Sequence, residues 1–342
     1  MVIIKVDILG CGISGLSTAI SLKEYDKKLN VVIHEKNKEI GYNKEGRRCG
    51  EVFIPRKDLR DWSPKGDSFY NEIRYQELII GKNKYIFPLS PGSFYVLNKP
   101  EFICQLARKA KRLGIKIQTH EKIRSVSDLK GDFIVDASGC PSTIRKELNF
   151  DIGNHTYGYQ QTIEDCNVFK TDRIKEIFTG DIGYYWIFPR NPEKNEVNIG
   201  LGIFGSRIPN LKKILEKFKS EKNIDGKINY STGGFIPLGV RKPLIYRNIL
   251  FVGDAGVGAY SISGEGNRRA IISGNLAGFC IANRCPEKYP FLVIKRFYKW
   301  DFLENLFLKA ISLFNKIGKK AVLASLNNFI RLDKTLNFYK PS

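Results

Sequence analysis

Three glycines near the start of the chain and an acid at the end of the next apolar stretch are typical of a dinucleotide site. Gly10, Gly12 and Gly15 follow residues 2–9 in the order GxGxxG, and Glu35 ends the stretch VVIHE. We expect Gly10 to permit a tight turn, Gly12 to admit a pyrophosphate, and Gly15 to let a helix pack on a strand. The Glu35 carboxylate is predicted to accept hydrogen bonds from ribose hydroxyls.

The elements around these residues support the same interpretation. An apolar strand precedes Gly10, the helical pattern LSTAISLKEY follows it, and a second apolar strand carries the acid. Ser14 lies at the start of the predicted helix, where unpaired backbone N–H groups face the phosphates. A lone glycine turn would be weak evidence, but strand, turn, helix, strand and acid together predict a bound dinucleotide.

Two later segments narrow the dinucleotide to FAD. In NILFVGDAG a buried strand ends near Asp254, whose carboxylate is placed to hold a ribityl hydroxyl, and SISGEGNRR then begins a helix that points at the flavin ring. In DFIVDASG a strand ends in a turn of small residues that can pack close to the dinucleotide. The predicted cofactor residues of these segments are Ala137, Gly139, Asp254, Gly264, Gly266 and Asn267.

The segment GYYWIFPR places aromatic residues at alternate positions. Because alternate side chains of a strand point the same way, Tyr184, Trp186 and Phe188 are predicted to form one aromatic wall that ends at Pro189. A flat apolar wall suits a hydrocarbon substrate. The same alternation is also typical of an ordinary core strand.

One cysteine is a candidate for proton transfer. Cys49 lies between Arg48 and Gly50 in a loop rich in glycine, lysine and arginine. A thiol is neutral near pH 7 and can donate a proton, whereas nearby arginines favour the thiolate. The alternative is a small buried residue with no chemical role.

Composition excludes several classes of protein. The seven cysteines contain no CxxC pair, and the first apolar stretch is used by a strand rather than by a secretory signal, so we expect a reducing cytosol and no metal site. No apolar run is long enough to span a bilayer. The net charge of +21 predicts attraction to an anionic partner such as nucleic acid, anionic lipid or an acidic protein, or else a merely solvated basic surface.

The order of the elements predicts an α/β fold with an interrupted first domain. We assign residues 1–60, 99–154 and 241–285 to a Rossmann-like FAD-binding domain, with a helix from Pro100 to Gly114. Residues 61–98 and 155–240 are predicted to form an inserted, antiparallel, β-rich substrate domain. Residues 286–342 are predicted to be a basic, amphipathic helical tail.

With these motifs in order, the chain resembles FAD proteins of the glutathione reductase superfamily that are built like para-hydroxybenzoate hydroxylase. RRCGEVF and GYYWIFPR further resemble the geranylgeranyl reductase family, which carries a CG-containing loop beside the flavin and a YxWxFP strand. The resemblance implies that Cys49 is catalytic, that Arg48, Cys49 and Gly50 touch the cofactor, and that the aromatic wall binds substrate.

This resemblance predicts an FAD-dependent reductase that saturates C=C bonds of geranylgeranyl or other polyprenyl chains in membrane lipids or their precursors. Reduced flavin delivers a hydride to one alkene carbon, and Cys49 or a water that it positions protonates the other. The protein is expected in the cytoplasm, peripheral on the inner face of the membrane. Alternatives are a monooxygenase or halogenase of the same fold, which needs O₂, and a basic tRNA-binding flavoprotein, although no RNA-binding motif is present.

The sequence also gives expectations about the electron donor and about an anion-binding site. No second dinucleotide fingerprint is present, so electrons are expected from diffusing NAD(P)H or from a small acidic carrier such as ferredoxin. Arg268 and Arg269 fall in the first turn of a predicted helix, where positive charge is disfavoured, so we expect them to meet a phosphate of the cofactor or of a lipid headgroup.

Overall fold

The computed structural model describes residues 3–41, 51–55, 57–151, 153–180, 183–203 and 209–336. The chain divides into one unit of residues 1–46, 99–155 and 236–304 and a second of residues 47–98, 156–235 and 305–342. This division differs from the predicted domain limits. Residues 47–60 group with the second unit, and the predicted tail from residue 286 is shared between the two.

The strands of the described residues belong to three sheets. In chain order they are β1 (Lys5–Leu9), β2 (Asn30–His34), β3 (Val52–Phe53), β4 (Phe69–Glu72), β5 (Tyr75–Ile80), β6 (Asn83–Pro88), β7 (Tyr95–Leu97), β8 (Lys116–Gln118), β9 (Phe133–Asp136), β10 (His155–Glu164), β11 (Arg173–Phe178), β12 (Gly183–Asn191), β13 (Glu196–Ile203), β14 (Lys227–Pro237), β15 (Ile245–Tyr246) and β16 (Ile249–Phe251).

The helices differ widely in length. They are α1 (Ile13–Tyr25), α2 (Lys99–Arg112), α3 (Thr143–Glu147), α4 (Leu211–Glu221), α5 (Asn267–Ala282), α6 (Tyr289–Ile317) and α7 (Lys319–Leu336). The helix predicted from Pro100 to Gly114 is α2, and its apolar residues Phe102, Leu106 and Ala110 recur every four positions and are buried.

The first unit contains a six-stranded sheet in the order β15-β16-β9-β1-β2-β8. Its strands are parallel except for the pair β15 and β16, so β1, α1 and β2 form a βαβ unit. The central strands are buried and mainly apolar, as both faces of a parallel sheet are when helices cover them. This architecture confirms the predicted Rossmann-like fold.

The second unit contains a seven-stranded sheet in the order β14-β10-β13-β12-β11-β5-β6, together with the small sheet β3-β7-β4. The large sheet is mainly antiparallel, and β11 pairs in parallel with β5. Leu211, Leu215 and Phe218 of α4 pack on one face of the large sheet. Asn210 caps α4, since its side chain accepts a hydrogen bond from the N–H of Lys213 at 3.0 Å.

Helices α6 and α7 are each hydrogen-bonded to a strand of their own unit. In the first unit, the hydroxyl of Tyr289 in α6 donates to the carbonyl of Phe251 at 2.8 Å. In the second, Asn327 of α7 accepts hydrogen bonds from Tyr85 and Asn83 of the β5–β6 hairpin at 2.8 and 3.0 Å. Within the described residues, no helix combines the length and the apolar character needed to cross a bilayer.

Candidate active site

The turn after β1 has the geometry expected of a dinucleotide-binding turn. Gly10 has a φ of +105°, and a Cβ there would lie 2.6 Å from the carbonyl oxygen of Ala137. A Cβ at Gly15 would lie 2.0 Å from the carbonyl oxygen of Gly10, so only glycine fits at both positions. A Cβ at Gly12 would meet nothing within 4 Å. Gly12 therefore borders open space at the start of α1.

Glu35 follows the end of β2 and is oriented by this turn. Its two carboxylate oxygens accept hydrogen bonds from the N–H groups of Cys11 and Asn37, at 2.8 and 2.9 Å. Each oxygen keeps a lone pair for a further donor, such as a ribose hydroxyl. Cys11 itself is buried, and burial and the nearby Glu35 charge raise the pKa of its thiol to about 12.

Sequence reasoning missed a buried ionisable cluster directly before Glu35. His34 lies between Glu121, at 2.8 Å from Nδ1, and Asp7, at 3.3 Å from Nε2. Burial raises the pKa of Asp7, but hydrogen bonds from His34 and from the N–H of Lys130 outweigh that effect and lower it to about 2. Burial lowers the pKa of His34, and its two carboxylate partners raise it above the ordinary value. This cluster ties β1 to β2.

The turn after β9 is held by an acid that sequence reasoning did not single out. Asp136 is fully buried and accepts hydrogen bonds from Ser138 at 2.6 Å and from Ser142. These bonds fix the turn that carries Ala137 and Gly139. Ala137 is buried, whereas Gly139 has a φ of +89° and open space at its Cβ position. The acid in VDASG was the available signal.

Asp254 lies just after β16, in the turn Gly253–Ala255. Burial raises the pKa of its carboxyl group. No hydrogen bond reaches this carboxylate from the described parts of the chain, so its acceptor capacity is left for a ligand. Its Oδ1 lies 3.6 Å from the position that a Cβ of Gly266 would take. The structure therefore brings Asp254 next to the start of α5.

The sheet order brings the predicted cofactor residues of the first unit to one edge. Asp254, Ala137, Gly10 and Glu35 follow the ends of β16, β9, β1 and β2, which are consecutive neighbours in the sheet. Parallel strands place all four ends on the same side. In open parallel sheets, ligands bind outside this carboxyl edge.

The start of α5 departs in part from the expectation of free N–H groups. Gly266 gives the helix no side-chain cap, but the carboxylate of Glu265 accepts the N–H of Arg268 at 2.7 Å. One N–H of the first turn is therefore occupied by this chain's own acid. Gly264, with a φ of +68°, and half-buried Asn267 flank this turn.

Sequence reasoning missed that helices α1 and α5, which follow two of these strand ends, pack closely together. A Cβ at Gly274 would lie 2.1 Å from Ser17 Oγ, and one at Gly278 would lie 2.6 Å from the Cβ of Ser21. Ser21 also donates across the pair to the carbonyl of Asn275 at 3.0 Å. The spacing of Gly274 and Gly278 four residues apart was the sequence signal for this close approach.

The expectation that Arg269 meets a phosphate is wrong. Its side chain is 0% exposed and donates to both carboxylate oxygens of Asp301 in α6, at 2.6 and 3.1 Å. The guanidinium also lies between the rings of Tyr260 and Phe297, because a buried cation needs these partners. The Nε of buried Arg268 has no partner among the described residues, so the prediction stays open for Arg268 alone.

A second acid of α6 holds the loop before α5. Glu304 Oε2 accepts the N–H of Ser261 at 2.6 Å, and Glu304 is buried. Burial outweighs its hydrogen bonds and the charge of Arg269, so the pKa of Glu304 rises to about 7. Two carboxylates of α6 therefore fix the segment from Ser261 to Arg269.

In the second unit, Tyr184, Trp186 and Phe188 lie on one face of β12 and form a row with Phe178. Successive ring centroids along this aromatic row are 5.2, 5.8 and 6.1 Å apart. The neighbouring residues Tyr185 and Ile187 point to the opposite face, into the core under α4.

Trp186 is held in one orientation. Its indole N–H donates to the side-chain oxygen of Gln160 at 3.0 Å. A Cβ at Gly200 would lie 2.3 Å from the indole ring, so only glycine at this position leaves room for the ring. Pro189 follows the row, and its carbonyl accepts from Asn71 at 3.2 Å.

A buried charged cluster anchors the segment after the cysteine loop. Arg190, at the end of the aromatic strand, donates through Nε to Glu51 at 2.5 Å and through Nη1 to Glu196. Asn198 donates to the same Glu51 oxygen at 3.0 Å. The paired carboxylates hold the pKa of Arg190 above its ordinary value despite its burial. Glu51 and Arg190 are 139 positions apart, so no sequence pattern indicated their contact.

Glu51 has a φ of +60°, which is rare for a residue with a side chain and marks a backbone held by its surroundings. It follows Arg48, Cys49 and Gly50 directly in the sequence. These three predicted residues lie outside the described part of the chain. Their roles therefore stay predictions.

The edge of the first unit fits FAD in its chemistry. The first turn of α1 has no side-chain cap, so its N–H groups are available to an anion beside the open space at Gly12. Glu35 offers carboxylate oxygens at one end of the row of strands. At the other end, the Asp254 carboxylate accepts no hydrogen bond from the residues that the structure describes, and burial raises its pKa.

Comparison with known proteins identifies the family. The model of the geranylgeranyl reductase catalytic domain matches residues 155–234, which include the aromatic row. A digeranylgeranylglycerophospholipid reductase from Methanocella arvoryzae is 36% identical over 312 residues, covering 81% of this chain and 76% of the relative. One from Sulfolobus acidocaldarius is 24% identical over 377 residues, covering 96% of this chain and 77% of the relative.

Solved structures share the fold. A geranylgeranyl bacteriochlorophyll reductase-like protein from Thermoplasma acidophilum matches with a TM-score of 0.80 and 20% identity, covering 94% of this chain and 90% of its own. The flavin-dependent halogenase CmlS matches with a TM-score of 0.69 and 15% identity, covering 95% of this chain and 68% of its own. Together with the 36% identical relative, these matches show that the chain belongs to the geranylgeranyl reductase family of FAD-dependent oxidoreductases.

Proposed function

We propose that this enzyme reduces C=C bonds in the geranylgeranyl chains of a digeranylgeranylglycerophospholipid or a closely related precursor. The observation that carries the proposal is the aromatic row, which lies inside the segment that matches the geranylgeranyl reductase catalytic domain. The names of the curated relatives support the same lipid.

The aromatic row suits an isoprenoid chain because it is long and apolar. Four buried rings in succession form a continuous row, and the indole N–H among them is already bonded to Gln160. A polyprenyl chain has no polar atoms to satisfy, so it gains from burial against such a surface. We assign Tyr184, Trp186, Phe188 and Pro189 to substrate binding.

The carboxyl edge of the first unit would hold the cofactor. We assign Glu35 to the ribose hydroxyls, the turn from Gly10 to Gly15 with Ser14 to the pyrophosphate, and Asp254 to the ribityl chain. The small turn at Ala137 and Gly139 and the start of α5 at Gly264, Gly266 and Asn267 would border the ring system. When bound and reduced, FAD supplies the hydride for the reaction.

Cys49 is proposed to supply the proton that completes the reduction. Glu51 would act as a positioning residue, since its carboxylate and its carbonyl are both bonded within the second unit, to Arg190 and to the N–H of Leu97 at 2.7 Å. Fixing the chain immediately after the loop of Cys49 limits where a proton donor can lie. Alignment of this kind accounts for a large part of many enzymatic rates.

Electron supply and location complete the proposal. We propose that NAD(P)H or an acidic carrier such as ferredoxin delivers electrons transiently, which the net charge of +21 favours for an acidic partner. The same charge favours association with the surface of an anionic membrane, where a lipid substrate is met.

The test is reduction of the lipid without oxygen. Dithionite-reduced enzyme is incubated anaerobically with digeranylgeranylglycerophospholipid in detergent, and the lipid is analysed by mass spectrometry. We expect gain of two hydrogen atoms for each reduced bond, loss of turnover with Cys49→Ala, and little effect of Cys104→Ser, a half-buried cysteine of α2. An unchanged lipid contradicts the proposal, and a strict need for O₂ favours a monooxygenase or halogenase.

A further inference from the structure

The solvent-facing side of α6 is apolar where a surface helix is normally polar. Phe291, Tyr298 and Phe302 are 64%, 63% and 55% exposed. Spacings of seven and four residues place all three on one side of the helix, and the rings of Tyr298 and Phe302 stack at 6.0 Å. We call these three residues the α6 aromatic face.

The opposite side of α6 is already used for packing. Tyr289, Val293 and Phe297 are fully buried, and they recur every four residues. The helix therefore has two apolar sides, one in the core of the first unit and one exposed. Exposed aromatic clusters of this kind are typical of an interaction site rather than of a solvated surface.

The charges around the α6 aromatic face are positive. Lys295 and Lys299 are exposed on this stretch of the helix. The acids of the same helix point elsewhere, since Asp301 pairs with Arg269 and Glu304 accepts from Ser261. Aromatic rings beside lysines, with acids turned inward, fit the interface of an anionic bilayer, where rings lie at headgroup level and lysines meet phosphates.

We propose that the α6 aromatic face docks the enzyme on an anionic lipid surface. Its rings enter the interface, and Lys295 and Lys299 contact the headgroups. This inference rests on the proposed function in so far as the lipid substrate resides in a membrane. It adds the surface that makes the contact.

The experiment measures cosedimentation of FAD-loaded enzyme with vesicles of phosphatidylcholine containing phosphatidylglycerol, or of phosphatidylcholine alone. We expect the triple variant F291S/Y298S/F302S to bind about tenfold or more weakly, because the inserted apolar surface is lost. We expect K295E/K299E to weaken binding to the anionic vesicles alone, by about fivefold or more for each lysine. The control I86S/I228S removes two exposed apolar residues of the second unit and should bind normally.

Activity toward lipid in detergent separates this inference from the proposed function. The triple variant should reduce detergent-solubilised lipid as the unchanged enzyme does. Unchanged vesicle binding by the triple variant overturns the inference. A loss of self-association by the triple variant also overturns it, because the α6 aromatic face would then contact a second copy of the chain. Vesicle binding without any lipid reduction leaves the docking surface in place and rejects the proposed function.

Discussion

The cluster of Arg190 with Glu51 and Glu196 predicts an unequal response to removing its members. The three side chains are 6%, 1% and 5% exposed, and one guanidinium serves two carboxylates. The face of Arg190 also lies 4.1 Å from the ring centroid of Tyr70. Burial makes every charge in the cluster dependent on the others, because water cannot replace a lost partner.

Arg190→Met leaves two buried carboxylates without a cation. Breaking a buried pair in this way costs about 3–5 kcal/mol of unfolding free energy. Glu51→Gln is milder, since Arg190 keeps Glu196 and the amide oxygen can accept the bonds from Arg190 and Asn198. It loses only the charge-assisted part of two hydrogen bonds, about 1–2 kcal/mol.

Urea unfolding measures the loss of unfolding free energy in both variants. The midpoint and the slope of each transition are compared, because a changed slope indicates a change in the unfolded state. The matched control is Lys217→Met, which breaks the exposed pair with Glu221 in α4 of the same unit. Exposed pairs contribute little, so we expect a change of about 0.5 kcal/mol or less.

The same variants test the positioning role of Glu51. We expect Glu51→Gln to stay folded and to lower kcat by about tenfold or more with little change in KM, because misplacing the proposed proton donor Cys49 would affect the reaction more than binding. Equal stability losses in Arg190→Met and Glu51→Gln would refute the argument from unbalanced buried charge. An unchanged kcat in Glu51→Gln would refute its positioning role.

Three further predictions concern the first unit, and the first of them uses Gly234 of the second unit as its control. Gly274→Val should lower the unfolding free energy by about 2 kcal/mol or more in urea, because its side chain would collide with Ser17, whereas Gly234→Ala, with open space, should cost about 1 kcal/mol or less. Asp7, with a pKa near 2, contributes folding stability that is complete above about pH 4 and is lost as the pH falls through 2. We therefore expect Asp7→Asn to reduce the loss of unfolding free energy between pH 4 and pH 2 by no more than about 2 kcal/mol. An unchanged loss of unfolding free energy over this range would contradict the hydrogen bonds assigned to Asp7. Glu304, with a pKa raised to about 7, favours the folded state while it is protonated, and up to about 3 kcal/mol of this contribution is lost as the pH rises from 4.5 through 7. We therefore expect the unfolding free energy of Glu304→Gln to depend less on pH over this range. An equal dependence on pH in both proteins would contradict a raised pKa of buried Glu304.

Short-range patterns predicted much of the first unit. Gly10 and Gly15 were identified because their conformation and close contacts depend on residues nearby in the chain or on the standard βαβ geometry. Glu35 and Asp254 were found because the ends of buried parallel strands are recognisable from apolar runs. The alternation in GYYWIFP likewise placed three rings on one side of β12, since a strand has a period of two.

Contacts between distant segments were beyond such patterns. Arg269 stood in a first helical turn and suggested an anionic ligand, yet Asp301 neutralises it from another helix. Glu51 and Arg190 gave no shared signal, because a buried ion pair is set by the packing of strands far apart in sequence. The exposed rings of α6 are indistinguishable from core residues in the sequence, where both sides of the helix are apolar.

The amino-acid order thus determined the glycine turn after β1, the acid-ended strands and the row of rings, because each depends on the local periods of helix and strand. Folding decided which charges are neutralised, which glycines allow helices to touch, and which apolar side of α6 faces solvent. Those outcomes depend on burial and on partners from remote segments, and side-chain identity alone does not encode either one.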